Sequence, residues 1–129
     1  MIRKIILAAS LLATTALTMS AADRVYELRT YHTLPGKLDD LITRFRDHTT
    51  RLFEKHGMTN IGYWVPADQP NTLIYILSYP DRDAAKASWA AFQKDPDWVK
   101  ARTASEANGK IVEKVDSVYM NPTDFSKLK

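Results

Sequence analysis

The sequence predicts an α+β domain, and three observations carry that expectation. Strand-like and helix-like periodicities follow one another in the order β-α-β-β-α-β. Gly, Pro and Asn-rich breaks separate them. The two middle strand segments are apolar on both faces, so each side of the sheet needs a cover.

The first segment stands apart from that domain. Met1-Ile2-Arg3-Lys4 is a short basic head, Ile5 to Met19 carries no charge, and Ser20-Ala21-Ala22 supplies small residues at a cleavage site. This is the layout of a secretory signal peptide over residues 1–22. A retained membrane anchor needs roughly 20 apolar residues, and the uncharged stretch is only 15 long with several Thr and Ser. The expectation is therefore an exported chain, periplasmic or secreted, without stable membrane insertion after cleavage. The sequence has no Cys, which removes both a lipid attachment point and any disulfide.

The domain is expected over residues 23–129. Without Arg3 and Lys4 the count is 16 basic against 15 acidic residues, so the net charge falls from +3 to +1. An evenly mixed, near-neutral domain lacks the concentrated basic face that nucleic acid binding requires.

Arg24 to His32 alternates as a strand, placing Glu27, Arg29 and Tyr31 on one face with Val25. Leu34-Pro35-Gly36 ends it. A helix is predicted over Lys37 to His56, with Leu38, Leu41, Ile42, Phe45, Thr49, Leu52 and Phe53 on one stripe and Gly57 as its stop. Met58 to Val65 and Thr72 to Tyr79 are the middle strands, joined by a turn-rich loop over residues 66–71. Asp81 or Asp83 is placed to cap a second helix carrying Ala85, Trp89 and Phe92. That helix stops near Asp95-Pro96, since a residue before Pro avoids the helical region. A short helix over Asp97 to Ala107, a break at Asn108-Gly109 and a strand over Ile111 to Met120 complete the domain.

This order is the split βαβ, or ferredoxin-like, arrangement with an antiparallel sheet and its helices on one face. The other face has no element of the chain left to cover it. A second copy, sheet against sheet, is the economical cover, so a homodimer is expected.

Tyr26-Glu27-Leu28-Arg29-Thr30-Tyr31 followed by Pro35-Gly36-Lys37 resembles the opening of the NIPSNAP family. So do Phe53-Glu54-Lys55-His56-Gly57-Met58, Gly62-Tyr63-Trp64, Trp89-Ala90-Ala91-Phe92, Asp95-Pro96-Asp97-Trp98 and Pro122-Thr123-Asp124-Phe125-Ser126. The resemblance implies a dimeric α+β barrel, with two ferredoxin-like sheets packed face to face. It implies no particular reaction.

The chemistry-bearing residues are few. His48 and His56 lie eight positions apart, about 12 Å along a helix, which is too far to share one metal. No phosphate loop, Ser-His-Asp order or paired-carboxylate motif is visible, so neither metal nor nucleotide is expected as a cofactor. Arg29 is the candidate to hold an anionic group inside the barrel, His56 to move a proton, and Tyr63 to donate a hydrogen bond. Tyr31 and Trp64 are candidate ligand-binding surfaces. Each has a structural reading beside the functional one. Glu27 and Arg29 satisfy each other, His56 favours the helix dipole, and the aromatics are core or interface. Two functions follow: binding or transforming a small apolar, aromatic or carboxylate molecule, or a homodimeric interaction module without catalysis.

Overall fold

The computed structural model describes residues 10–14 and 23–129, so nearly all of the expected signal peptide lies outside the described residues. Four strands form one antiparallel sheet: β1 (Val25–Thr33), β2 (Thr59–Trp64), β3 (Thr72–Tyr79) and β4 (Val112–Met120), in the spatial order β2-β3-β1-β4. The chain also forms α1 (Leu38–Arg44), a π-helical segment Phe45–Thr49, α2 (Thr50–Lys55), α3 (Arg82–Lys94) and α4 (Pro96–Ser105). The β-α-β-β-α-β order and its ferredoxin-like sheet are as the sequence predicts. The strand limits differ from the expected ones by a residue or two.

The long helix is not uniform. Leu41, Phe45, Thr49 and Phe53 are all buried, at a spacing of four residues. A regular α-helix would rotate such a series progressively off one face, because its period is 3.6. The π segment underwinds the helix locally and keeps all four against the sheet. Its wider turn is closed by i→i−5 bonds: the Thr50 N–H and hydroxyl both donate to the Phe45 carbonyl, and the Thr49 hydroxyl donates to the Arg44 carbonyl. Gly57 ends α2 with φ +79°, a conformation that a Cβ would strain.

The other caps follow the sequence. Asp81 accepts from the Ala84 N–H at 2.7 Å to start α3. Asp95 accepts from the Asp97 N–H at 2.9 Å to start α4, with Pro96 at the first helical position.

Register decides what faces the helices. β1 pairs Glu27 with Leu77 and Tyr119, Arg29 with Tyr75 and Ser117, and Tyr31 with Leu73 and Val115. Leu73, Tyr75, Leu77 and Tyr79 belong to the buried core under the helices, with Leu41, Phe45, Leu52, Phe53 and Phe92. The Glu27-Arg29-Tyr31 face therefore lies towards the helices, not inside a barrel between two sheets as the sequence suggests. The opposite face carries Leu28, Thr30, Gly62, Ile74, Ile76 and Val118, with Trp64 and Val118 more than half exposed. The segment after β4 passes one corner of it, where Pro122, Thr123 and Leu128 line a recess with Tyr26 and Ile76.

Candidate functional site

A cavity of about 760 Å³ opens between the helices and the β1–β4 side of the sheet. Arg29 and Tyr31 reach it from β1, Arg44 from α1, Trp89 and Phe92 from α3, and Trp98 from α4. Arg102, Lys110 and Lys114 add positive charge at its margin, against Glu106 and Glu113. Five basic and two acidic side chains thus concentrate a positive field that the whole-chain balance hides.

One carboxylate anchors this wall. Glu27 is 1% exposed and takes four donors. Arg29 Nη1 approaches Oε2 at 2.7 Å and the Ser117 hydroxyl at 2.6 Å. The Tyr79 hydroxyl reaches Oε1 at 2.5 Å and the Trp89 indole N–H at 2.8 Å. Burial alone would raise the Glu27 pKa, but the bonds from Ser117, Tyr79 and Arg29 outweigh it and leave the carboxyl below its ordinary value. The buried anion is satisfied in the way buried charges must be.

Glu27 in turn fixes Arg29. Its guanidinium lies 4.3 Å from the Trp89 ring centroid and 5.6 Å from that of Tyr31. Burial disfavours its charge, yet Tyr75, Tyr31 and Glu27 hold its pKa above the ordinary arginine value. Arg29 Nε is buried without a hydrogen-bond partner among the described residues. Arg44 has the same feature. Its side chain is 4% exposed, its Nη1 bonds the Ser105 hydroxyl at 3.3 Å, its guanidinium lies 5.2 Å from the Trp98 ring, and its Nε has no partner among the described residues. Desolvation lowers its pKa below the ordinary value.

The expected trio of Arg29, His56 and Tyr63 is not gathered at this cavity. His56 ends α2 and pairs through Nε2 with Asp95 Oδ2 at 2.7 Å, where Lys55 also binds at 2.7 Å. That cluster ties the end of α2 to the start of α4. Its donors, Lys55 first, hold the Asp95 pKa far below the usual carboxylate range. Tyr63 stacks on Tyr75 at 5.1 Å and donates to Asn60 Oδ1. Burial pushes its pKa upward. Tyr63 lines a separate apolar recess of about 180 Å³ with Phe45 and Leu73. Trp64 lies on the open face, folded over Gly62, where an added Cβ would come within 2.5 Å of its ring.

Of the candidates, Arg29 and Tyr31 line the cavity, while His56, Tyr63 and Trp64 lie elsewhere. Sequence reading missed Arg44 and treated Trp89 as core alone. A signal for Arg44 existed: it sits three residues after Leu41 and one before Phe45, on the flank of the buried stripe. Among the described residues no three His, Asp or Glu side chains gather in a metal-binding arrangement.

The NIPSNAP family model matches residues 26–127. No curated protein matches the chain. Among solved structures, a NIPSNAP family protein of unknown function from Agrobacterium tumefaciens is 21% identical with a TM-score of 0.72, covering 83% of this chain and 95% of that one. A NIPSNAP-like domain protein from Burkholderia xenovorans is 16% identical with a TM-score of 0.70, covering 80% and 88%. A putative antibiotic biosynthesis monooxygenase from Chloroflexus aurantiacus is 12% identical with a TM-score of 0.55, covering 83% and 100%. At these identities the likenesses establish the fold and no activity.

Proposed function

The chain belongs to the NIPSNAP family, and on that premise we propose that it is an exported domain that binds a small, flat anionic molecule in the cavity between its helices and sheet. The observation that carries this reading is Arg29. It is a largely buried guanidinium at the cavity wall, held by Glu27 and lying over the Trp89 ring. Preformed pockets with aromatic walls and a few fixed polar groups are the usual form of small-molecule sites. The Arg29 side chain keeps 17% exposure, so a carboxylate in the cavity would bond the accessible part of its guanidinium, and Tyr31 and Trp89 would cover the apolar body. The reading calls for no metal and no nucleotide.

The test is titration of host-purified protein with 2-naphthoate, followed by quenching of tryptophan fluorescence, with uncharged naphthalene as control. Saturable quenching by the acid that weakens in Arg29→Lys, where the charge stays but the planar fork is lost, supports the reading. Equal response to both compounds, or none, refutes it. Native mass spectrometry of the same preparation looks for a carried ligand.

A second reading, a homodimeric interaction module, is favoured by the open sheet face, where Trp64 and Val118 stand exposed beside Ile74 and Ile76. The two are compatible, because the cavity and the open face lie on opposite sides of the sheet.

A further inference from the structure

Tyr31 stands beside Arg29, whose guanidinium carbon lies 5.6 Å from its ring centroid, and both residues line the cavity. Phe45 meets the ring edge-on at 5.6 Å and Tyr75 packs against it at 5.3 Å, so the phenol is held in place. Three buried side-chain polar atoms lack a partner among the described residues: Arg29 Nε, Arg44 Nε and the Tyr75 hydroxyl. The Tyr31 hydroxyl makes no hydrogen bond among those residues either, yet it is not one of the three. It is therefore an unbonded polar group that still meets solvent, and the open space beside Tyr31 is the cavity. The charges around it decide which way it bonds. Arg29 and Arg44 both interact electrostatically with Tyr31. A hydroxyl near two fixed cations turns its oxygen towards them and its hydrogen away, which sets Tyr31 to donate.

We propose that Tyr31 sets the specificity of this cavity, its hydroxyl donating to a neutral acceptor atom next to the ligand's carboxylate, such as the ring nitrogen of a 2-carboxylated N-heteroaromatic. This rests on the small-molecule reading given above and names its ligand class. A carboxylate on the exposed part of the Arg29 guanidinium brings its neighbouring atoms, and no distant part of the ligand, within reach of Tyr31. A flat ligand lying on Tyr31 also shuts the hydroxyl off from water. Without an acceptor there, the hydroxyl is stranded and its lost hydration counts against binding. With one, a hydrogen bond replaces that hydration. A site that bonds its ligand in this way rejects the isostere lacking the partner atom.

The experiment compares quinoline-2-carboxylate with 2-naphthoate by quenching of tryptophan fluorescence. The two acids share shape and charge and differ by one ring nitrogen beside the carboxylate. The heterocycle is expected to bind about fivefold more tightly, the worth of one net hydrogen bond. In Tyr31→Phe, checked for folding by circular dichroism, the two affinities are expected to converge. Quinoline-3-carboxylate, with its nitrogen one position further from the carboxylate, tests the placement without any substitution and is expected to bind no better than 2-naphthoate. Equal affinity for quinoline-2-carboxylate and 2-naphthoate in the unmodified protein overturns the role of Tyr31 and leaves the carboxylate reading standing. So does a preference that persists in folded Tyr31→Phe, or one that the quinoline-3 isomer shares. Binding of none of these acids overturns both readings.

Discussion

Trp89 and Glu27 stand 62 positions apart in the chain and meet at 2.8 Å, the indole N–H donating to the carboxylate. The contact fastens α3 to β1. The same indole then presents its face to Arg29, so one residue both secures the buried anion and bears on the cation beside it.

Replacing Glu27 with Gln should be expensive. Four donors converge on its two oxygens, and an amide can accept on only one of them. Arg29 would also lose its partner while still largely buried. Breaking one side of a buried pair costs roughly 3–5 kcal/mol, so chemical denaturation of Glu27→Gln should show a loss near the lower end of that range, since Arg29 keeps some solvent contact. A loss below about 1 kcal/mol would contradict the anchoring role.

Acid should destabilise the domain through the same group. The Glu27 pKa is lower in the folded chain than its ordinary 4.5, so its contribution to stability is fully present above about that pH. The contribution is lost as the pH falls through the folded value. Melting temperature measured from pH 7 to pH 3 should drop more steeply in the unmodified protein than in Glu27→Gln. The slope that remains in the variant belongs partly to Asp95, which is depressed in the same direction.

The open face makes a prediction about assembly. Ile74 pairs with Trp64 and Thr30 across neighbouring strands on that face. If a second copy covers it, the interface falls in the obligate class of about 2,000 Å² or more, and light scattering at micromolar concentration should report a dimer. Ile74→Glu should then lower the dimer fraction and the melting temperature together, because the two copies share one core. A monomer in the unmodified protein would refute this.

Export gives a prediction independent of the fold. Protein recovered from the periplasm or the medium should begin at Asp23 or within two residues of it. N-terminal sequencing that returns Met1 or Ile2 from such material would overturn the cleavage site.

Much of the scaffold was legible because it depends on local rules. Alternation placed Glu27, Arg29 and Tyr31 on one strand face, and Asp81, Pro96 and Gly57 marked helix ends that the structure bears out. The direction of that face was not legible, since alternation separates two faces without saying which one the helices cover. The cavity was harder still. Trp89, Arg44 and Trp98 come from three helices, and their meeting depends on how those helices cross the sheet. His56 illustrates the opposite error. Chemical type grouped it with Arg29 and Tyr63, but Asp95, 39 positions away, claims it first.

The π segment has a consequence for what insertions and deletions this helix tolerates. Such a segment behaves as one residue more than a regular helix would hold between the same two anchor points. Deleting a single residue from Phe45–Thr49 would let the helix close as an ordinary α-helix, leaving α2 seated on the core. Leu41 and Phe53 would then stand eleven residues apart, only about 20° from a whole number of α-helical turns, so the two halves would stay in phase. Leu41 would stay in the core and Arg44 beside Trp98, whereas closing the helix as a regular α-helix with the extra residue kept would turn them by about 100°. The π turn is thus a phase setting: it absorbs the spare residue and keeps the two halves of one helix in step, so that the half carrying Arg44 presents it to the cavity.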